Sequence, residues 1–299
     1  MFNWLNALAA DVLEGDILFV VAVTLLLSWL CWRAYDHFLN HRKLPRVSRF
    51  FGLCVQIGVT LMLERLYEFS RANIIVGQLT ATAYSNGYKL LDFEIDHGFF
   101  VEARIERFFW PDSLLMHSVD VFYGLAHLFV TLGFLIWLYL RRNSSFSFVR
   151  NLFYLSTAIA LMVYMVFPTA PPRMFTNYGF LDPSQALGFT AAGGAQLTSY
   201  TYNPFAAMPS LHLVYALIVG LSLVVVGRRW WIRAIGAVYP AVMLAVILIS
   251  ANHWILDAAG AVVVVAVSAG ILAAGRRSAS WLRAGMSRRP PLAGTQSPG

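Results

Sequence analysis

Seven apolar runs constrain this chain more than any other feature: roughly Ile17–Trp32, Phe50–Tyr67, Val121–Leu140, Leu152–Phe167, Leu211–Val226, Ala234–Ser250 and Ile255–Ala274. A helix needs about 20 apolar residues to cross the hydrocarbon core, and these runs approach that length. The fold expected is therefore all-α, a polytopic membrane helix bundle of about six or seven transmembrane helices. Composition agrees, with 59% hydrophobic and only 12% charged residues. Met1 to Asp16 carries Asp11, Glu14 and Asp16 but no Lys or Arg. The first run therefore reads as a retained span rather than a cleaved signal.

Charge placement sets the orientation. Arg33, Arg42, Lys43, Arg46 and Arg49 fall in the first loop, Arg141, Arg142 and Arg150 in a later one, and Arg228, Arg229 and Arg233 in a third. Arg276, Arg277, Arg283, Arg288 and Arg289 follow the last span. These alternate loops hold most of the 22 Lys and Arg, so the positive-inside rule puts them in the cytoplasm. The N-terminus is then outside, the C-terminus inside, and the expected location is the plasma (inner) membrane. The net charge of +7 is accounted for by these loops, and no nucleic-acid partner is expected.

Between the spans, residues 68–120 mix aromatics with acids, as in Phe93-Glu94-Ile95-Asp96 and Phe99-Phe100-Val101-Glu102. Outer interfacial amphipathic helices are expected there, flanking the site. Residues 168–208 are rich in Pro, Gly, Thr and Ala and read as a loop that could cover it. The chain divides into N-terminal spans with an outer segment (1–119), a catalytic membrane domain (120–275) and a basic tail (276–299) whose end reads as disordered. Cys31 and Cys54 lie inside apolar runs, as small buried hydrophobes do, with no disulfide framework or metal spacing.

Three polar segments interrupt this apolar background. They are Phe167-Pro168-Thr169-Ala170-Pro171-Pro172-Arg173, Asn203 through His212, and Ser250-Ala251-Asn252-His253-Trp254-Ile255-Leu256-Asp257. The orientation argument places all three on the outer side. Pro209 suits the first turn of a helix, whose start favours a phosphate through unpaired N–H groups and the helix dipole. Ser210 adds a hydroxyl donor, and His212 lies one turn inside, within reach of a proton. His253 and Asp257, four apart, share a helix face. A carboxylate there fixes the imidazole tautomer and stabilises the imidazolium. Arg173 offers a planar fork of donors for phosphate oxygens.

Taken singly, each motif is more often structural than functional, and either histidine alone would read as a capped or hydrogen-bonded interfacial residue. An Asp within an apolar helix is harder to assign to structure, because intramembrane charge is costly. Glu64, Arg65 and Glu68 read equally as a paired cluster or as substrate-positioning groups. Tyr123 and His127 share a face of the third span, where a structural hydrogen bond is the simpler account and an acceptor-site role the other.

With Pro171-Pro172-Arg173, Pro209-Ser210-Leu211-His212 and His253-x-x-x-Asp257, the chain resembles the type 2 phosphatidic acid phosphatase superfamily. More narrowly it is similar to the branch containing inositol phosphorylceramide synthase, the aureobasidin-resistance protein. The resemblance covers roughly residues 120–275. It implies that His253 attacks phosphorus to form a phosphohistidine, that Asp257 orients it, and that His212 protonates the leaving alkoxide and then acts as base. Arg173 and Ser210 would bind phosphate. No cofactor and no metal are implied. The commoner pattern has a lysine in its first motif and an arginine six residues before the second histidine. Here that second position is Ile247 and no lysine accompanies Arg173, leaving Lys89 or Arg65 as replacement cations.

The function expected is a lipid phosphatase or phosphotransferase acting on a lipid phosphate or phosphodiester at the extracytoplasmic face. The alternative is a non-enzymatic lipid-binding or transport protein, an inactive relative, whose intramembrane charges would line a path across the bilayer. No sequence feature indicates an oligomeric state.

Overall fold

The computed structural model describes residues 21–30, 33, 45–73, 79–110, 113–181 and 205–287. Nine helices are labelled here: α1 (Val21–Leu30), α2 (Pro45–Asn73), α3 (Leu79–Asp96), α4 (Glu102–Phe109), α5 (Ser113–Arg141), α6 (Asn143–Val166), α7 (Leu211–Val226), α8 (Trp230–Ile249) and α9 (Ile255–Ser287). Among the described residues there is no strand, only an isolated parallel bridge between Thr169 and Ala206. The all-α expectation holds.

Within α6, α8 and α9 lie stretches long and apolar enough to cross a membrane. α5 qualifies as a fourth span if its two halves, Leu114–Leu125 and Leu128–Arg141, which meet at a 48° bend, are counted as one. α7 matches the expected Leu211–Val226 span but is shorter than the others. Of the first expected span only Val21–Leu30 is described. α9 continues to Ser287, past the boundary expected at 275.

α5 to α9 form the main bundle around Met116, Leu138, Val214, Ile218, Met243 and Ile247. α7 is its centre, with eight of its sixteen residues buried. α7 and α8 approach closely where Gly220 faces Gly236. A Cβ on Gly220 would lie 2.4 Å from the Gly236 carbonyl, and one on Gly236 would lie 2.7 Å from the Gly220 carbonyl. Small residues let membrane helices pack at this range. Outward-facing Phe129, Val166, Val225, Val238 and Val263 are exposed, as lipid-facing side chains are. α2 joins α6 through Thr60 Oγ1 to Tyr154 Oη at 2.9 Å and Arg150 Nη1 to Gln56 Oε1 at 2.7 Å, and α5 through Arg49 Nη2 to the Leu140 carbonyl at 2.6 Å. Cys54 is buried and free.

A second core caps one end of the bundle. It is built from Leu90 and Leu91 of α3, Ala103 of α4, Ala170, Phe175 and Phe180 of the 167–181 segment, and Trp254. The expected interfacial helices are α3 and α4. Within them, Glu94, Glu102 and Glu106 are fully buried. The described part of the 168–208 loop folds into two single-turn 3₁₀ helices, Pro172–Met174 and Thr176–Tyr178. Residues 182–204, the rest of the expected cover, lie outside the described residues.

Candidate active site

The three polar segments meet at the capped end. Prolines disfavour helix for the residues before them, so 167–173 and 205–210 leave their helices as extended straps that must find partners elsewhere. They find each other. Thr169 N–H donates to the Phe205 carbonyl at 2.7 Å, and Ala207 N–H to the Thr169 carbonyl at 3.3 Å. Ala170 N–H reaches the Ala83 carbonyl of α3, and Asn86 Nδ2 donates to the Pro168 carbonyl at 2.9 Å. The Arg173 N–H donates to the Ala251 carbonyl, and Trp254 Nε1 to the Ala170 carbonyl, both at 3.0 Å. The arginines Arg142 and Arg228 flank the opposite ends of α6 and α7.

His253 is 3% exposed and held from both sides of its ring. Its Nδ1 lies 2.8 Å from the Ala207 carbonyl and 3.3 Å from Asp257 Oδ2. Both neighbours are acceptors, so Nδ1 carries the proton and Nε2 the lone pair. The Tyr123 hydroxyl donates to that Nε2 at 3.3 Å. His212, from the first turn of α7, has its ring centroid 6.0 Å from that of His253. The Tyr123 ring stacks on His212 at 3.9 Å with a 24° interplanar angle.

Asp257 is the anchor of this arrangement. Its Oδ2 accepts from Trp254 N–H at 2.8 Å, its carbonyl accepts from Ser210 N–H at 3.2 Å, and the side chain has no exposure. Two more carboxylates follow it along the first turn of α9. Glu102 Oε1 accepts from Ile255 N–H at 2.9 Å, and Glu94 Oε1 from Leu256 N–H at 3.0 Å. Three successive N–H groups at a helix start are thus satisfied by carboxylates, which the dipole favours. The start of α9 is therefore occupied by the protein's own carboxyl groups.

Burial, with Glu102 alongside, pushes the Glu94 carboxyl up to about 9. Its folded value lies above the ordinary 4.5, so the folded protein holds a proton that the unfolded chain releases. Stability therefore falls as pH rises between about 4.5 and 9, and is unaffected by this group below that window. Glu94→Gln keeps a neutral acceptor for Leu256 N–H. The expected result is a melting midpoint in detergent raised by roughly 2–4 °C at pH 8 and unchanged at pH 4. Equal shifts at both pH values would remove the proposed proton.

The structure brings together all five residues expected from sequence: Arg173, Ser210, His212, His253 and Asp257. Arg173 is 8% exposed and donates through Nη1 to Oδ1 of Asn252, next to His253. Ser210 is the N-cap of α7, its Oγ accepting from Leu213 N–H at 3.4 Å. Lys89 is one step removed, donating to Asn86 Oδ1 at 3.1 Å. The side chains of Glu64, Arg65, Glu68 and His127 lie outside the described residues. Ile247 is wholly buried in the bundle. Trp254, Asn252, Glu94 and Glu102 were missed as members of the site, while Tyr123 reads in sequence first as a structural hydrogen bond and second as an acceptor-site group. The signal for Tyr123 is a polar group on an apolar helix. Among the described residues, no group of three His, Cys, Asp or Glu is placed to hold a metal.

A sequence model of the PAP2 superfamily matches residues 88–271, more than half of the chain and all five of these residues. The chain belongs to the PAP2 superfamily. The match begins within α3, so the family region includes the capping helix α4 as well as α5 to α8 and about half of α9. Among curated proteins, the chain is similar to phosphoinositol dihydroceramide synthase of Bacteroides thetaiotaomicron, at 30% identity over 155 residues. That match covers 46% of this chain and spans about half the length of the relative, 50%. No solved structure matches the chain.

Proposed function

We propose that this PAP2-superfamily protein is a membrane lipid phosphatase or phosphotransferase working through a phosphohistidine on His253. The observation that carries the reading is the fixed tautomer, with Ala207 and Asp257 both accepting from Nδ1 and Nε2 left nucleophilic beside His212. Nε2 attacks phosphorus as the bond to the leaving oxygen breaks, and His212 supplies the proton that oxygen takes. His212 then removes a proton from water or an acceptor hydroxyl, which displaces the phosphoryl group from His253. Splitting the displacement in two lowers each barrier. Arg173, the Ser210 hydroxyl and the start of α7 are the donors for phosphate oxygens.

The similarity to a phosphoinositol dihydroceramide synthase favours transfer of a phosphorylated head group to a lipid hydroxyl over simple hydrolysis. The arginine-flanked ends of α6 and α7 point away from the site, which supports an extracytoplasmic pocket. Every group in the proposed cycle has an acid, base or donor task, so the mechanism is metal-independent. The non-enzymatic alternative requires a polar path through the bundle. The buried charged side chains described, Glu94, Glu102, Glu106, Arg173 and Asp257, instead gather at one end.

The test is an assay of detergent-purified protein on dioctanoyl phosphatidate and on phosphatidylinositol, with and without ceramide, in buffer containing EDTA. Product formation that ignores chelator is expected, with ceramide taking up the phosphoinositol group. Activity lost to EDTA and restored by a divalent metal would overturn the metal-independent cycle. Water-only products in the presence of ceramide would make the protein a phosphatase.

A further inference from the structure

Nucleophile and proton donor are both assigned to histidines in the proposed cycle, and one side chain, Tyr123, touches both. Its ring lies on His212, and its hydroxyl lies on His253 Nε2. A phenol placed there to fix the His253 tautomer would be redundant, because two acceptors already hold the proton on Nδ1. Instead it donates to the very lone pair that attack on phosphorus requires. At 3.3 Å it occupies the near-attack distance of about 3–3.5 Å that phosphorus must take. Tyr123 must therefore give way when substrate enters, and its hydroxyl hydrogen needs a new acceptor within a short swing.

The incoming phosphate provides that acceptor. It also needs the donor. Ile247, fully buried, fills the position six residues before His253 and cannot reach phosphate, and Arg173 already shares its guanidinium with Asn252. We propose that Tyr123 is a catalytic residue, whose hydroxyl passes from His253 Nε2 to a non-bridging oxygen of the phosphoryl group and stabilises its charge during transfer. The proposal rests on the phosphohistidine reading of His253. In the step, the Nε2–P bond forms, the P–O bond to the leaving group breaks, and the proton on the leaving oxygen comes from His212. Tyr123 keeps its own proton and only exchanges acceptors. A hydrogen bond to an anion in a partly buried site is worth more than one between neutral groups. The stacked ring keeps His212 beside the same phosphoryl group, so one side chain serves both histidines.

Inorganic orthovanadate, which adopts the five-coordinate geometry of phosphoryl transfer, tests this without knowledge of the lipid. Its affinity is measured for wild type, Tyr123→Phe and His253→Ala, with melting midpoints recorded to confirm equal folding. The Phe variant keeps the stacked ring and loses only the hydroxyl. Wild type is expected to bind, His253→Ala to lose binding, and Tyr123→Phe to bind about 10–100-fold more weakly at an unchanged midpoint. Wild-type affinity in Tyr123→Phe, with binding still lost in His253→Ala, would overturn the role of Tyr123 and leave the nucleophile standing. Vanadate that ignores the His253 substitution, or fails to bind wild type, would overturn the phosphohistidine reading and the role of Tyr123 with it.

Discussion

Replacing His253 by alanine is expected to abolish turnover, a loss on the order of 10⁴-fold or more, because no other group can take over a covalent step. Asp257→Asn is expected to be much milder, about 10²-fold. In a serine-protease triad the equivalent change costs about 10⁴-fold because the imidazole adopts the wrong tautomer. Here the Ala207 carbonyl is the nearer acceptor, at 2.8 Å against 3.3 Å for Asp257 Oδ2, and it persists in the variant. An asparagine oxygen can also replace Oδ2 as the common acceptor for His253 Nδ1 and Trp254 N–H. What is lost is the negative charge that stabilises the imidazolium. Turnover of radiolabelled lipid phosphate by the two purified variants decides the matter. A fully active His253→Ala would remove the nucleophile, and an Asp257→Asn as inactive as His253→Ala would show that the charge outweighs the tautomer.

Trp254→Ala is the substitution expected to cost most in stability. The side chain has no exposure and packs edge-on against Phe175 at 5.3 Å and Phe180 at 6.0 Å. Its Nε1–H also satisfies the Ala170 carbonyl at 3.0 Å. Truncating a buried aromatic of this size costs about 3–5 kcal/mol, and here a strap carbonyl loses its donor as well. The damage would reach the chemistry, since the same strap ends in Arg173 and pairs through Thr169 with Ala207. Trp254→Phe, which keeps a ring but no N–H, should fall between the two. Denaturation curves in detergent provide the check, and a Trp254→Ala protein melting with wild type would show that the cap is held by something other than this core.

Sequence by itself determined the elements that depend on local pattern. Run length located the bundle helices, because crossing hydrocarbon demands a fixed number of apolar residues with backbone bonds satisfied internally. Ser210 caps the start of α7 at Leu211 as its type suggests, but Pro209 lies before that cap rather than in the first turn. His253 lies before α9, so it meets Asp257 across the turn into the helix rather than along a helix face. The arginine-bearing loops placed three distant polar segments on one side, and the structure joins them there. The partners across long separations were decided by tertiary structure alone. Glu94 and Glu102 lie 162 and 153 residues from the N–H groups they accept from, and in sequence they read only as acids mixed with aromatics in interfacial helices. The unbonded N–H groups at the start of α9 draw carboxylates inward, and only the folded chain shows which ones come within reach. The Ala207 carbonyl has no side-chain signature at all, and Tyr123 shows its task only when α5 lays it against both histidines. Sequence therefore identified the groups proposed to react, while packing determined what holds them and which nitrogen of His253 keeps its lone pair.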